Sequence, residues 1–242
     1  MSTEATSMAS DAPDDRASRY VDRFDLLLGI TTLSVIVQAL VDIRVSTIDR
    51  TALVGALLVT LLVGATMSLA LRTSNLSPRL RRWADIPIAL IVLVQSFVVV
   101  VSMAPGFTAM AVSGTQAPPF LWLLLSVVAP VLVVRRLMGH QQITVQTLYG
   151  ALAAYLLFAI AFGFAFQTTG VLQDTPFFGE VLPSTSFIYY SLVTITTVGY
   201  GDLSAATALG RLLSVCAAVV GQVYLVTIVA MVVSSLARSR TG

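Results

Sequence analysis

Long apolar blocks separated by short polar breaks run along most of this chain. Six blocks approach the ~20 apolar residues that are needed to span a bilayer, and we predict a spanning helix for each. Proline falls within two of them. Pro87 is expected in the first turn of the third helix, where proline is tolerated, and Pro130 is expected to kink the fourth. The six predicted helices cover residues 24–41, 52–71, 84–103, 120–138, 145–166 and 209–236.

A seventh apolar block, residues 184–195, lies between the fifth and sixth predicted helices. It contains only about twelve residues, which is too few to cross a bilayer, so its length predicts a re-entrant helix. Pro183 followed by Ser184 and Thr185 is a helix-start signal, with hydroxyl groups that could cap free N–H groups. The segment TTVGYGD, residues 196–202, follows directly.

The composition supports a membrane protein, because 57% of the residues are apolar, 11% are charged and the mean hydropathy is +0.90. A soluble domain carries about twice that charged fraction. We therefore predict an all-α integral membrane protein. Residues 1–23 lack the apolar core of a secretory signal and predict a disordered cytoplasmic tail. His140 and Cys216 are each the only residue of their type, so no His/Cys metal cluster or internal disulfide is expected.

The distribution of arginine predicts the orientation in the membrane. Eleven of the fourteen basic residues lie in the two tails and in the breaks after the second and fourth helices, and three lie on the opposite side. Because positively charged loops stay in the cytoplasm, both termini are predicted to be cytoplasmic, in the cell membrane, and residues 184–202 to enter from the outer side. The eleven are Arg16, Arg19, Arg23, Arg72, Arg79, Arg81, Arg82, Arg135, Arg136, Arg238 and Arg240, and the three are Arg44, Arg50 and Arg211.

The TTVGYGD segment contains the residues that a backbone lining for a cation path requires. Non-helical backbone at membrane depth is tolerated only where protein buries it or where it lines a water-filled path. A helix over 184–195 would point its partially negative C-terminal end toward the membrane centre, which favours a cation there. Gly199 and Gly201 permit the unusual dihedral angles of an outward return, and the Thr197 hydroxyl adds one oxygen. Stacked rings of such oxygens can replace the water shell of a cation.

On these residues the chain resembles the potassium channel family over about residues 184–240. TTVGYGD matches that family's selectivity-filter signature at every position. The resemblance implies a homotetramer with fourfold symmetry, because one chain offers one strand of a closed ring. It also implies a four-helix membrane domain over 24–138, a pore domain over 139–242, and K⁺ ions in the filter, without an organic cofactor. The filter residues would be Thr197, Val198, Gly199, Tyr200 and Gly201, and the backbone carbonyls of the first four would bind K⁺.

The resemblance further implies residues that support the filter, namely Thr196, Asp202 and the aromatic pair Tyr189 and Tyr190. The Tyr189 hydroxyl is expected near Asp202, where it could donate a hydrogen bond to the carboxylate. We hypothesise that this bond determines how readily the filter collapses.

Two interpretations remain open for the last helix. Gly221 could be the hinge glycine that the family commonly has at this place, or it could only permit close helix packing. Gln222 beside it could face a water-filled cavity. Val229 and Val233 recur at helical spacing and could form an apolar constriction that gates the path, or they could be ordinary packing positions.

The six-helix layout is similar to that of voltage-gated members, but the fourth helix lacks their repeated charges. Its only charges, Arg135 and Arg136, are adjacent and lie at its cytoplasmic end, so we predict weak or absent voltage dependence. The short connection over 139–144 is expected to keep the four-helix unit beside the pore of its own subunit. Asp85 could pair with Arg82 or Arg136, although a solvated carboxylate is the favoured interpretation.

Two other functions were weighed against a passive channel. A six-helix secondary transporter would have broken helices in both halves, and only one half has such a break. A non-conducting sensor or assembly subunit would use the first four helices. The sequence contains no nucleophile–base set and no phosphate-binding loop, so no enzyme activity and no catalytic residue is predicted. Membrane lipids are the expected surroundings; neither a nucleic-acid partner nor a cytoplasmic ligand-binding domain is expected.

Overall fold

The computed structural model describes residues 23–44, 50–73, 78–102, 120–138 and 144–241 of the 242-residue chain. Within these ranges every regular element is helical and no strand occurs. The predicted tail, apart from Arg23, and most of the connection over 139–144 lie outside the described residues. The helices are α1 (Phe24–Arg44), α2 (Arg50–Thr73), α3 (Pro78–Ser102), α4 (Phe120–Met138), α5 (Val145–Leu172), α6 (Ser184–Ile195), α7 (Ala208–Tyr224), a π-helical turn (Leu225–Val229) and α8 (Ala230–Thr241).

The predicted helices over 120–138 and 184–195 have the bounds of α4 and α6. The prediction that Pro87 lies in a first turn is wrong, because α3 begins at Pro78 and contains Pro87 in its interior. Hydropathy marks only the apolar part of a helix, and the first turns of α3 are rich in arginine. α5 similarly continues past the predicted end to Leu172. Thr168 and Thr169 in this extension donate their hydroxyls to carbonyls one turn earlier, which satisfies them inside the helix.

Helices α1 to α4 form an N-terminal unit that is held mainly by apolar packing. α1 packs against α2, and α2 packs against α3 and α4. The interior contains Leu27, Met67, Trp122 and Val133, each almost completely buried. Close packing of such side chains adds many van der Waals contacts, which are individually small and collectively large.

The N-terminal unit lies directly on α5 of the same chain. The ring of Trp122 in α4 stacks on that of Phe164 in α5, with 6.2 Å between centroids and 6° between planes. The ring of Phe24 in α1 fits against Gly150 of α5, where an added Cβ would lie 2.9 Å from its Cδ1 atom. These contacts join the N-terminal unit to α5 within one protomer, and the prediction for the connection over 139–144 stays a prediction.

Asp85 takes part in an ion pair at the surface of the N-terminal unit. Its Oδ2 atom lies 3.9 Å from Nη2 of Arg72, a partner that the sequence analysis did not name. The reason is topological: α2 and α3 are neighbours joined by a short break, so the last turn of α2 meets the beginning of α3. The side chains of Arg72 and Asp85 are 60% and 31% exposed, so the pair contributes little stability.

Two helical segments in the described ranges are long and apolar enough to cross a membrane, Val145–Leu172 and Ala208–Arg238. Shorter apolar stretches occur in α1, α2 and α3, over Phe24–Leu40, Leu57–Thr73 and Asp85–Val101. In the most apolar part of the first long segment 56% of the residues are buried, against 22% in the second. α5 therefore lies inside the protomer, whereas the last helix leaves most of its surface uncovered.

Candidate functional site

Helix α6 lies at the centre of the C-terminal unit, which comprises residues 144–241. One face of α6 is buried against α5 and α7. The Ser191 hydroxyl in the middle of this face donates a 2.6 Å hydrogen bond to the Ala159 carbonyl of α5. Gly163 of α5 allows the two backbones to approach, because a Cβ there would collide with Ile188. The short helix is thus held at a defined depth.

The beginning of α6 is attached to α5. The N-cap of α6 is Pro183, whose own side chain makes no capping bond. The Ser184 hydroxyl accepts a 2.7 Å hydrogen bond from the side-chain amide of Gln167, in the extension of α5. This bond fastens the first turn of α6 to α5.

A cluster of aromatic rings packs around the N-terminal part of α6. The rings of Phe177, Phe178, Phe187 and Tyr190 lie in tilted or edge-to-face contacts with centroid separations of 4.9–5.9 Å. Phe166 of α5 joins them at 5.3 Å from Phe177 and from Tyr190. Such pairs contribute about 0.5–1.5 kcal/mol beyond their buried area. The cluster provides a rigid apolar support beside the loop that follows α6.

The loop over residues 196–202 returns its first amides to the end of α6. The carbonyl of Val193 accepts from the backbone amides of both Val198 (3.0 Å) and Gly199 (3.2 Å). The amides of Thr196 and Thr197 donate to the carbonyls of Leu192 and Thr194. Among the described residues, no backbone amide donates to the carbonyl oxygens of the four residues from Thr197 to Tyr200. The first four amides of the loop are therefore bonded to α6, while the carbonyls of Thr197 to Tyr200 accept from no backbone amide and are available to a ligand.

Positive φ angles occur at every second residue of this loop: Thr197 (60°), Gly199 (55°) and Gly201 (80°). Inverting the backbone at alternate residues turns successive carbonyls toward the same side, whereas an ordinary strand points them to opposite sides. At both glycines a Cβ would meet no atom within 4 Å, so glycine is required there for its dihedral angle and not for space. Thr197 is β-branched, and its positive φ stores strain of order 1–3 kcal/mol.

The expected contact between Tyr189 and Asp202 is confirmed. The Tyr189 hydroxyl donates a 2.7 Å hydrogen bond to Oδ2 of Asp202, which joins α6 to the end of the loop. This bond raises the pKa of Tyr189 to about 12, so the hydroxyl stays protonated and able to donate at neutral pH. The hydroxyl of the neighbouring Tyr190 lies 2.8 Å from that of Ser214 in α7. The two tyrosines are adjacent in the sequence, but Tyr189 bonds to the end of the loop and Tyr190 lies beside α7.

Arg211 fastens the chain after the loop. Its guanidinium donates to the carbonyls of Ala205 (3.2 Å) and Ala206 (3.1 Å), and the Ala206 amide donates to the Phe177 carbonyl (2.8 Å). Thr207 caps α7 by accepting a hydrogen bond from the Gly210 amide (3.1 Å). Both ends of the 196–202 loop are therefore fixed to surrounding helices.

The structure shows that Gly221 permits close packing, while its role as a hinge stays a prediction. A Cβ at this position would lie 2.6 Å from the carbonyl oxygen of Ile195 and would collide with its Cγ1 atom. Gly221 thus allows α7 to touch the last residue of α6. The other predicted gate residues lie differently: Gln222 and Val233 are exposed on the protomer, and Val229 is partly buried. No contact made by these three residues assigns them a gating role.

Sequence reasoning missed two features of this region. The first is the π-helical turn over Leu225–Val229, just after Gly221, for which Thr227 was a weak signal because threonine hydroxyls that bond back one turn tend to bend helices. The second is a pair of buried tyrosines. Tyr155 donates to the Ile195 carbonyl (2.8 Å), and Tyr224 donates to the Ala151 carbonyl (2.9 Å). Nothing in the local sequence distinguishes them from other core aromatics.

Residues 151–238 match the model of a protein family described as "Ion channel". The matched range contains α6, the 196–202 loop, the second long apolar segment and most of the first. Neither the comparison with curated proteins nor that with solved structures gave a match. The family match and the apolar helices agree with the resemblance found from the sequence. The match identifies an ion channel domain over residues 151–238, and together with the apolar helices it supports ion channel activity in a membrane protein.

Proposed function

We propose that the protein is a potassium-selective channel that conducts K⁺ passively across the cell membrane. The observation that carries this proposal is the 196–202 loop, whose amides bond back to α6 while the carbonyls of Thr197 to Tyr200 stay unbonded by backbone amides. Its TVGYG sequence is the one in which K⁺ channels use carbonyl rings in place of the hydration shell. The positive φ angles at alternate residues support a common direction for these carbonyls.

A closed ring of carbonyls needs several copies of the loop, and we propose a homotetramer with fourfold symmetry. The uncovered face of the last helix supports an assembly around it. Val215, Val219, Val223 and Val226 of this helix are each more than half exposed on the single protomer. In the tetramer these side chains would face neighbouring copies, the water-filled path or lipid.

We further propose that six helices cross the membrane, with both termini in the cytoplasm and α6 entering from the outer side. The exposed stripe of α3 supports contact with lipid, since Trp83, Ile86, Leu90, Leu93 and Phe97 follow helical spacing and are each at least 59% exposed. The C-terminal end of α6 would then point into the membrane, where its partial negative charge favours a cation.

Opening is proposed to depend little on voltage. Work by the membrane field needs charge that crosses it, about 2.3 kcal/mol per charge per 100 mV. In α4 the basic residues Arg135 and Arg136 lie in the last turn only. A conductance–voltage curve recorded from the reconstituted channel is expected to be shallow, and a steep curve would contradict this part of the proposal.

Ion flux into liposomes tests the main proposal. Purified protein is reconstituted with a K⁺ gradient, and flux is compared in K⁺ and in Na⁺, with and without Ba²⁺. We expect K⁺-selective, Ba²⁺-blocked flux that needs no second gradient. Flux that requires a coupling ion would support a transporter, and equal flux of K⁺ and Na⁺ would support an unselective channel.

Two alanine variants link this flux to the loop. Gly199→Ala places a side chain where φ is positive and is expected to abolish the preference for K⁺. Gly29→Ala, in α1, is the matched control, because a Cβ there meets no atom within 4 Å and the residue lies inside an ordinary helix. Unchanged selectivity in Gly199→Ala would place the conducting path elsewhere.

A further inference from the structure

The end of α6 leaves four carbonyls without partners inside the helix, as every helix end does. Amides of the 196–202 loop satisfy the carbonyls of residues 192, 193 and 194. The remaining carbonyl, that of Ile195, accepts from the hydroxyl of Tyr155, which lies 40 residues earlier on α5, at 2.8 Å. Tyr155 therefore completes the cap of α6 with a side chain from another helix.

The position of Tyr155 is itself held by the last helix. Its ring stacks on that of Tyr224 with 6.1 Å between centroids and 19° between planes. The Tyr224 hydroxyl donates to the Ala151 carbonyl, one turn before Tyr155 on α5. Tyr224 is also the last residue of α7, directly before the π-helical turn.

The Ile195 carbonyl lies between two helices. On one side is the Tyr155 hydroxyl, and on the other is Gly221, where an added Cβ would be 2.6 Å from the same oxygen. Ile195 is completely buried. Two residues later the chain reaches Thr197, whose positive φ is a strained conformation for a β-branched residue. Such a conformation persists only where its surroundings hold it, and the fixed end of α6 is part of those surroundings.

We propose, on the basis of the K⁺ filter of the proposed function, that Tyr155 is a positioning residue for that filter. Its hydroxyl fixes the last carbonyl of α6, and Tyr224 holds its ring. Together they set where the first carbonyls of the loop lie relative to the axis. The same contacts link the π-helical turn of the last helix to the inner end of the filter.

The test replaces Tyr155 by phenylalanine, which keeps the ring and removes only the hydroxyl. The first readout is the ratio of K⁺ to Na⁺ flux in liposomes, which we expect to fall about threefold to tenfold, the range that corresponds to one lost hydrogen bond. Tyr149→Phe is the matched control, since Tyr149 also lies on α5 and packs against the same core. Its hydroxyl donates to no carbonyl of α6 among the described residues, and its removal is expected to leave the ratio unchanged.

A second readout separates positioning from simple stabilisation of the fold. Thermal unfolding of the detergent-solubilised protein is measured in K⁺ and in Na⁺ at equal ionic strength. A bound ion raises the midpoint by an amount that grows with the logarithm of its affinity for the folded state. If Tyr155 positions the filter, the Tyr155→Phe variant is expected to show a smaller difference between the unfolding midpoints in K⁺ and in Na⁺. If its role is purely structural, both midpoints would fall equally, and that result would overturn the proposal.

The outcomes distinguish this inference from the function on which it rests. A wild-type protein without preference for K⁺ overturns the proposed function and this inference with it. A K⁺-selective wild type whose Tyr155→Phe variant has the same selectivity overturns the inference alone. If Tyr155→Phe does not assemble, Tyr224→Phe serves instead, because it removes the bond that holds the support while leaving both rings. It is expected to lower the flux ratio by about twofold, and an unchanged ratio would contradict the proposal.

Discussion

The two units of this protein differ in where their side-chain hydrogen bonds lead. In the N-terminal unit the buried hydroxyls mostly donate to their own helix, as Thr31 does to Leu27 and Ser126 to Leu123. The bond from Trp122 to Gln95 crosses between two of its helices. In the C-terminal unit some hydroxyls also donate to their own helix, as Thr168 and Thr169 do, but several bonds of buried side chains join different elements. Examples are Ser191 to Ala159, Gln167 to Ser184, Tyr155 to Ile195 and Tyr224 to Ala151.

This difference indicates two ways of holding helices together. Apolar packing is non-directional, so helices held by it alone can shift by small amounts at low cost. A hydrogen bond between elements is directional and fixes a distance to within a few tenths of an ångström. A path that recognises a cation by the positions of carbonyl oxygens requires the second kind of support.

The largest effect is expected from Gly221→Ala, which disrupts the close approach of α7 to the backbone of α6. The new Cβ would meet the backbone oxygen of Ile195, which cannot rotate away. Overpacking costs typically 1–3 kcal/mol, and we expect the upper part of that range, about 3 kcal/mol. Gly29→Ala in the N-terminal unit should instead stabilise by up to about 1 kcal/mol, because alanine is the better helix former. Thermal unfolding in detergent measures the stability of both variants. Equal shifts of the unfolding midpoint would contradict the expected difference between the two units.

A pair of serine variants sharpens the comparison directly. Ser191 and Ser126 are both completely buried, but Ser191 bonds to another helix and Ser126 to its own. Ser191→Ala is expected to destabilise by about 1–1.5 kcal/mol, and Ser126→Ala by less than about 0.5 kcal/mol, because local bonds of this kind contribute little. If the Ser126 variant were the more destabilised of the two, the distinction between the units would fail.

Tyr189→Phe is expected to act on the lifetime of the conducting state more than on stability. Without the hydrogen bond to Asp202 the outer end of the loop loses one attachment, and current recorded from the reconstituted channel should decay about twofold to fivefold faster. An unchanged decay would contradict the hypothesis that this bond limits collapse of the filter.

The pH dependence of this effect follows from the pKa of Tyr189. That pKa is raised from 10.0 to about 12, so the contribution of the bond is fully present below pH 10 and is lost as the pH rises through about 12. The decay of the wild-type current should therefore be the same at pH 7 and pH 9. A marked acceleration between these values would show that another group controls the decay.

The smallest effect is expected at the surface of the N-terminal unit. Arg72→Gln removes an ion pair with a separation of 3.9 Å between largely exposed side chains. Thermal unfolding should shift by less than the equivalent of about 0.5 kcal/mol, and less again at high salt. A larger loss of stability would contradict the expectation that the N-terminal unit is held mainly by apolar packing.

Much of the architecture could be predicted from the sequence because hydropathy and glycine act locally. The bounds of α4 and α6 follow from apolar runs that end at polar or turn residues. Unusual dihedral angles at Gly199 and Gly201 were expected because both residues are glycine. The contact between Tyr189 and Asp202 was expected from the resemblance to a known family. Helix ends that continue into polar sequence, as in α3 and α5, were missed because hydropathy does not report them.

By itself the sequence determined that this chain forms apolar helices around one short helix and a TTVGYGD loop. Only the tertiary structure decided what holds that loop. The partners of Ile195 come from α5 and α7, and a contact across 40 residues leaves no periodic pattern along the chain. The sequence also could not show that Gly221 packs against Ile195, because a glycine that bends a helix and one that permits close packing are the same residue in the sequence.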